Sequence, residues 1–333
     1  MKAVAYQRYG PPEVLAYRDL PDPTPKEGEI LVRVHAAEVT KADCEMRSFR
    51  FPVFWFWLPL RLGLGVFRPR NPVLGSYFSG EVVSTNHANP RFAPGDQIYG
   101  SSQFSLGAYG EYLCLPQKRT LAKKPPNVSH AEAAAVPLGG LNALHFLRLA
   151  KIRPEQSVLI NGGGGSIGLF AIQIAKSMGA HVTVVDKPQK ETVIRRAGAD
   201  RFIDYTRLDF RNEPHAYHVI FDMVVRSPYS KTLSALVPDG CYLKGNVRFL
   251  DFFRALFTSL FSQKRAYVRF AAEAQHELDT LTEWIEEGRI RSLVDRVFPF
   301  SEAAQAHHIV EMEQRDGAII LQPDRRDEAP SAR

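Results

Sequence analysis

The chain has 333 residues, of which 45% are hydrophobic and 23% charged, an ordinary globular composition long enough for two domains. Its formal net charge of +6 lies in scattered basic pairs rather than one block, which argues against nucleic-acid binding and favours anionic cofactors or membrane surfaces as partners. The three cysteines are far apart, without metal-ligand spacing or a disulfide framework, and the N-terminus lacks a signal-peptide pattern, so a cytoplasmic location is expected.

The sequence pattern in the first third of the chain predicts an antiparallel β domain. Short alternating segments separated by Pro- and Gly-rich turns are typical of such domains. The predicted strands are residues 1–6, 15–19, 29–37, 75–84, 97–100 and 110–115. A short helix is predicted over residues 40–47.

Residues 49–67 are rich in Phe and Trp but are interrupted by arginines, prolines and glycines. A membrane span needs about 20 unbroken apolar residues, so this segment is not one. Three interpretations stay open: a lid over an apolar substrate site, ordinary core or interface packing, and an interfacial membrane contact. Residues 247–261 form a second aromatic stretch with the same ambiguity.

A dinucleotide-binding unit is predicted at residues 157–186. A helix over residues 129–149, with Ser129 and Glu132 spaced as a capping box, precedes it. The unit reads as a buried strand, a glycine turn, a helix that stops at Gly179, and a second strand that ends in Asp186. This order supplies the structural context that the G-x-G-x-x-G fingerprint requires.

Each residue of the turn has a physical role in this hypothesis. Gly163 permits the tight turn, and Gly165, after Gly164, lets a pyrophosphate approach the backbone. Gly168 allows the helix to pack closely on the sheet.

The helix start and the second strand complete the predicted cofactor site. The N–H groups of Ser166 and Ile167, together with the helix dipole, meet the phosphate charge. Asp186 lies 18 residues beyond Gly168, where its carboxylate can accept hydrogen bonds from a ribose.

Beyond Asp186, helices alternate with short apolar strands, which implies a parallel sheet with helices on both faces. The predicted strands are residues 201–204, 219–223, 242–245, 296–300 and 318–322. The predicted helices are residues 190–197, 230–236 and 273–287, with another from Ser301.

The whole chain resembles the medium-chain dehydrogenase/reductase superfamily, and within it the zinc-free quinone oxidoreductase branch. The motifs that carry the resemblance span almost the full length: 28–34, 73–75, 79–82, 92–96, 107–115, 133–144, the glycine turn, 197–205 and 317–321. The resemblance implies an α/β protein with a GroES-like β-barrel catalytic domain (1–125), a Rossmann doubly wound parallel sheet domain (126–268), and a return to the catalytic domain (269–333).

The resemblance also permits a test for zinc. Zinc-dependent members place a Cys three residues before an Asp; here Asp43 matches the Asp and Thr40 stands at the Cys position. Their Gly-His-Glu is replaced by Gly75-Ser76-Tyr77. Catalytic zinc needs three protein ligands, so no metal is expected, and the pair His307-His308 is interpreted as a surface feature.

Without zinc, the resemblance implies hydride transfer from NAD(P)H to a quinone or an α,β-unsaturated carbonyl compound. Tyr77, Lys41 or solvent is the expected proton donor, although Tyr77 also fits a packed strand residue. Asn142 matches a position near the nicotinamide ribose, with a purely structural role in its helix as the alternative.

The cofactor preference depends on the end of the second strand. Asp186 repels a 2′-phosphate and favours NADH. Lys187 and Lys190 follow it, and Tyr205 matches a residue beside the adenosine in relatives. NADH is therefore preferred over NADPH, with binding of both open.

Two other functions compete with this one. An alcohol dehydrogenase or ketoreductase would be expected to retain zinc ligands. A non-catalytic dinucleotide-binding protein would use the stretches 49–67 and 247–261 for a membrane or partner contact. A homodimer is expected, with membrane-surface contact as the weaker alternative.

Overall fold

The computed structural model describes residues 1–51, 57–246 and 248–324. Its α-helices are α1 (Lys41–Ser48), α2 (Trp57–Leu64), α3 (His130–Ala134), α4 (Val136–Ala150), α5 (Ser166–Ser177), α6 (Glu191–Arg196), α7 (Tyr229–Ser234), α8 (Phe249–Phe261), α9 (Gln275–Glu286) and α10 (Ala303–Glu311). Its strands are β1 (Lys2–Ala5), β2 (Ala16–Asp19), β3 (Glu29–Val39), β4 (Tyr77–Thr85), β5 (Gln97–Ser101), β6 (Tyr112–Pro116), β7 (Leu121–Lys123), β8 (Ser157–Asn161), β9 (His181–Asp186), β10 (Arg201–Asp204), β11 (Tyr217–Asp222), β12 (Leu236–Lys244), β13 (Arg265–Val268), β14 (Val294–Pro299) and β15 (Ala318–Gln322).

The N-terminal domain is a largely antiparallel β structure. Its main sheet runs β14-β15-β3-β4-β5-β7, with β6 also paired to β3 and with β14 and β15 parallel to each other. The β1–β2 hairpin joins this structure through isolated bridges to Gly110 and Val73. β3 is the central strand because it pairs with β15, β4 and β6. The last strands of the chain therefore complete the N-terminal domain.

The nucleotide domain contains a six-stranded parallel sheet in the order β10-β9-β8-β11-β12-β13. This is the doubly wound order: strands are added towards one edge of the sheet up to β10 and towards the other edge from β11 onward, so the order reverses between β8 and β11. Strand β8 is apolar and buried from Val158 onward because helices cover both faces of a parallel sheet. The expected GroES-like domain beside a Rossmann domain is confirmed.

The structure refines several predicted elements. The predicted helix over 129–149 is two helices, α3 and α4, and the Ser129–Glu132 capping box starts the first of them. β12 begins earlier than the predicted strand 242–245, and its pairing with β11 includes a register shift. Residues 249–261 of the second aromatic stretch form the helix α8.

Helix α9 packs against the core of the nucleotide domain. Leu278, Leu281 and Ile285 lie in the same buried core cluster as β8 and α5. The chain re-enters the first sheet only at β14. The segment 269–333, predicted as a return to the catalytic domain, therefore also packs against the nucleotide domain through α9.

The interpretation of His307 as a surface residue is wrong. Its side chain is fully buried, and its Nδ1 lies 3.3 Å from Sγ of Cys44. Burial and the charge of Arg47 lower the pKa of His307 to about 3, and burial raises that of the Cys44 thiol, so both groups are neutral. His307 shares the buried face of α10 with Ala303, Ala306 and Val310, whereas His308 is exposed.

The aromatic segment 49–67 is described only in part, since residues 52–56 lie outside the described residues. Phe49 is buried against Tyr9, at 5.0 Å between ring centroids, and the Arg61 guanidinium lies 4.3 Å from the Phe49 ring. Leu58 and Leu62 of α2 are exposed. Core packing therefore accounts for the start of the segment, and the lid stays a prediction. No helix in the described ranges has both the length and the apolarity to cross a membrane.

Candidate functional site

A cavity of about 750 Å³ lies at the carboxyl end of β8. The cavity is lined by the glycine turn, the end of β9, helix α1 and the segment that follows α10. Ligand sites of doubly wound sheets lie at this edge, where the strand order reverses, and the volume is typical of small-molecule sites.

The tight turn is made one residue earlier than predicted. Gly162 has φ +90°, which a residue with a side chain rarely adopts, and Gly163 has no positive φ. A Cβ on Gly163 would lie 2.2 Å from Cγ1 of Val184. The role assigned to Gly163 is therefore corrected: it allows the turn to pack against β9.

The expected roles of Gly165 and Gly168 agree with the geometry. A Cβ built on Gly165 has no neighbour within 4 Å among the described residues, so the space above this residue is open to a ligand. A Cβ on Gly168 would lie 2.4 Å from the carbonyl oxygen of Gly163. Ser166 and Ile167 begin α5, where N–H groups have no acceptor within the helix, and both line the cavity. This combination fits a pyrophosphate.

Asp186 lies at the end of β9 and is hydrogen-bonded to the turn. Its Oδ2 accepts from the N–H of Gly164 at 2.7 Å, and its Oδ1 accepts from the N–H of Lys187 at 2.7 Å. A carboxylate has further lone pairs that can accept from ribose hydroxyls. Lys187 and Tyr205 line the same end of the cavity.

Arg315 and Glu38 are two buried ionisable residues that the sequence reasoning missed. Arg315 lines the cavity, and its Nε and Nη1 have no hydrogen-bond partner among the described residues. Glu38 lies behind the turn: its Oε1 accepts from Oγ of Ser166 at 2.7 Å, and its Oε2 has no partner in the described part of the chain. An unpaired guanidinium beside the start of α5 is suited to a phosphate.

Helix α1 contributes two acid–base groups to the cavity lining, Lys41 and Glu45. They are spaced i,i+4, so their side chains are neighbours. Burial raises the pKa of Glu45 to about 7, with Lys41 opposing this shift. The Lys41 ammonium donates a hydrogen bond to Oε1 of Glu313, another residue of the cavity wall. The sequence reasoning missed Glu45; its i,i+4 spacing from Lys41 is the signal that could have found it.

Two of the proposed catalytic residues are not brought to this cavity. Tyr77 is buried, and its hydroxyl donates to Oε1 of Glu273 at 2.6 Å. Asn142 donates from Nδ2 to the carbonyl oxygen of Leu138 at 2.9 Å, one helical turn earlier. Leu138 lines the cavity, but Asn142 and Tyr77 are not among its described lining residues. Of the three predicted catalytic residues, Lys41 alone is among the described residues that line this cavity.

The donor set at the zinc position does not fit a metal. Thr40 is the N-cap of α1, and Asp43 accepts hydrogen bonds from Thr40 and from the N–H of Gly75. Burial raises the pKa of Asp43. Within the described residues, no group of three or more His, Cys, Asp or Glu side chains is arranged to hold a metal ion.

Comparison with known proteins gives two family matches and several full-length relatives. Residues 26–126 match the family described as "Alcohol dehydrogenase GroES-like domain", and residues 197–321 match that described as "Zinc-binding dehydrogenase". A quinone oxidoreductase of Pseudomonas aeruginosa is 29% identical over 343 residues, covering 97% of this chain and 99% of the relative. An NADPH-dependent alkenal/one oxidoreductase of Arabidopsis thaliana chloroplasts is 28% identical over 340 residues, covering 97% and 80%.

A solved structure agrees over the same length. The quinone oxidoreductase from Coxiella burnetii has a TM-score of 0.83 and 27% sequence identity, and the match covers 97% of this chain and 99% of that one. The two family matches follow each other in the order of the two domains and together cover more than half of the chain. The protein therefore belongs to the medium-chain dehydrogenase/reductase superfamily, in its quinone oxidoreductase-like branch.

Proposed function

We propose that the protein is a zinc-independent NAD(P)H-dependent oxidoreductase that reduces quinones or α,β-unsaturated carbonyl compounds. One observation carries this proposal: a single cavity is lined both by a dinucleotide-binding turn and by the acid–base groups Lys41 and Glu45. Relatives named quinone oxidoreductase and NADPH-dependent alkenal/one oxidoreductase support the substrate class. The zinc-independence rests on the donor set around Thr40 and Asp43.

The bound dinucleotide supplies a hydride, and reduction of an enone or a quinone then consumes a proton. The glycine turn, the start of α5 and Arg315 bind the pyrophosphate. Asp186 holds the ribose. Glu45 is the proton source, because a carboxyl group with a pKa of about 7 is protonated in a large fraction of molecules at neutral pH. Lys41, one turn before Glu45 in α1, faces the substrate carbonyl.

Replacement of Glu45 by Gln tests the proton donor. We expect kcat for a crotonyl thioester to fall by about 100-fold, because protonation of carbon needs a placed acid. The wild-type rate should decline as pH rises through about 7, and Glu45→Gln should remove this decline. Benzoquinone should be affected less, since water protonates oxygen readily. The exposed substitution Glu287→Gln is the control, and an unchanged pH profile in Glu45→Gln would exclude Glu45.

The reaction class is tested by oxidation of NADH and NADPH, followed by absorbance at 340 nm. The acceptors are 9,10-phenanthrenequinone, 1,4-benzoquinone and crotonyl thioesters. Turnover of at least one acceptor class is expected without added metal and in the presence of a chelator. Turnover of alcohols or simple ketones alone would indicate an alcohol dehydrogenase or ketoreductase. Tight cofactor binding without any turnover would indicate a non-catalytic protein.

We further propose that NADH is preferred to NADPH. The Asp186 carboxylate lies between the N–H groups of Gly164 and Lys187, where a 2′-phosphate would meet its charge. Lys190 is not free to compensate, because its ammonium donates to the carbonyl oxygen of Arg315 and contacts Asp316.

Replacement of Asp186 by Ser should shift the NADH:NADPH affinity ratio towards NADPH by about tenfold, since it removes the repulsion. Fluorescence titration of both cofactors measures this ratio. The matched control is Asp204→Ser, because Asp204 is the register partner of Asp186 on the adjacent strand and does not line the cavity. Equal ratios in the wild type and Asp186→Ser would refute the preference.

A homodimer in the cytoplasm completes the proposal. The location is supported by the dispersed cysteines, which are free in the structure. Light scattering of the purified chain measures the oligomeric state: a mass of one protomer would contradict the dimer.

A further inference from the structure

Helix α8 has an unusual distribution of apolar residues for a helix on a protein surface. Of its 13 residues only Asp251 and Ala255 are buried. Leu250, Phe253, Phe257 and Leu260 follow each other at spacings of three or four residues, and Phe261 lies four residues after Phe257. This spacing places all five on one face, and they are 51–79% exposed.

The exposure is built into the fold, because the opposite side of α8 is firmly attached to the nucleotide domain. The Asp251 carboxylate lies 3.3 Å from Nζ of Lys244 at the end of β12, and both side chains are buried. The hydroxyls of Tyr229 and Thr258 are 3.0 Å apart. These polar contacts orient the helix so that the apolar stripe faces outward.

The charges around the stripe indicate what covers it. Between Gly245 and Ala272 the only acidic residue is Asp251, which is paired inside the protein. Five basic residues flank or interrupt the same segment: Arg248, Arg254, Lys264, Arg265 and Arg269. A partner with an apolar interior and a negative surface complements this pattern. A second copy of the chain would bring the same cations together without acidic partners.

We propose that α8 docks the protein on an anionic lipid surface, with the apolar stripe inserted at the level of the headgroups. Amphipathic helices that lie in the membrane interface combine a basic border with Phe and Leu in this manner. The helix lies next to the site, because Asn246, three residues before α8, lines the cavity. The docking itself does not depend on the proposed reaction.

Sedimentation of the full chain with vesicles tests the proposal. At low salt, vesicles of phosphatidylcholine with 30% phosphatidylglycerol should bind the protein about tenfold more strongly than vesicles of pure phosphatidylcholine do. Added salt should weaken this binding. The double variant Phe257→Ser/Leu260→Ser should lose it, and Arg248→Gln/Arg269→Gln should reduce it to the level of pure phosphatidylcholine. These side chains are exposed, and retained NADH binding verifies the fold of each variant.

The matched control is Val297→Ser, which removes an exposed apolar side chain on β14 and should bind vesicles as the wild type does. Equal retention of the wild type and the double variant would overturn the proposal. So would light scattering that shows a wild-type dimer converted to a monomer by Phe257→Ser/Leu260→Ser without any vesicle binding, because the stripe would then be an interface between copies.

Discussion

Replacement of Gly168 by Ala is expected to abolish dinucleotide binding and to destabilise the protein. The new Cβ would lie 2.4 Å from the carbonyl oxygen and 2.5 Å from Cα of Gly163, so backbone rather than a flexible side chain must move. Overpacking of this kind costs about 3 kcal/mol. Because α5 and the turn shift apart, the N–H groups of Ser166 and Ile167 no longer converge. Denaturant unfolding and NADH fluorescence titration measure the two effects.

Gly165→Val is the matched variant that separates binding from stability. Gly165 has φ −97° and ψ 174°, a conformation open to any residue, and its Cβ would meet no described atom within 4 Å. We expect the free energy of unfolding to change by no more than about 1 kcal/mol, through weaker N-capping. Cofactor affinity should nevertheless fall by at least about 100-fold, since the side chain occupies the space of the pyrophosphate. Wild-type affinity in Gly165→Val would show that the cofactor does not lie on this turn.

The second large effect is a loss of stability with rising pH, caused by Glu38. Burial raises the pKa of this carboxyl group to about 8, while Ser166 and Arg315 lower it and Asp43 raises it further. The folded protein therefore holds the proton more tightly than the unfolded chain. The resulting stabilisation is complete below pH about 4.5 and is lost as pH rises through about 8, a change of about 5 kcal/mol.

Glu38→Gln should remove most of this pH dependence, because the amide cannot ionise but can still accept from Oγ of Ser166. Unfolding midpoints at pH 5 and pH 9 measure the effect, with the exposed Glu13→Gln as control. Above pH 8 the wild type should also bind NADH more weakly than Glu38→Gln does, since an ionised Glu38 lies behind the helix start that holds the phosphates. Parallel pH profiles of wild type and Glu38→Gln would contradict both expectations.

Local pattern predicts the secondary-structure elements that form the cofactor half of the proposed site. The strand, turn and helix around Gly165 are contiguous in the chain, and Asp186 comes at the end of the next strand. The physical constraints there act between neighbours, so spacing alone predicts them. The remaining error is that Gly162, and not Gly163, has the positive φ, whereas Gly163 is needed because a Cβ there would meet Val184.

The acid–base side of the cavity is harder to predict from local pattern, because its lining residues come from elements that are far apart in the chain. Tyr77 and Asn142 were chosen by position, but their hydrogen-bond partners Glu273 and Leu138 turn their polar atoms away from the cavity. Glu45 reached the cavity wall through the orientation of α1, which its Thr40 cap and the packing of Asp43 determine.

Alternation, caps and turn residues act over a few positions, so the two-domain architecture, the parallel sheet and the glycine turn follow from the amino-acid sequence. Tertiary packing brings Glu38, Ser166 and Arg315 together, although they are far apart in the chain. It also buries His307 and leaves the stripe of α8 exposed. These features share one cause: burial and charge pairing depend on which distant elements pack together, and no local pattern encodes that.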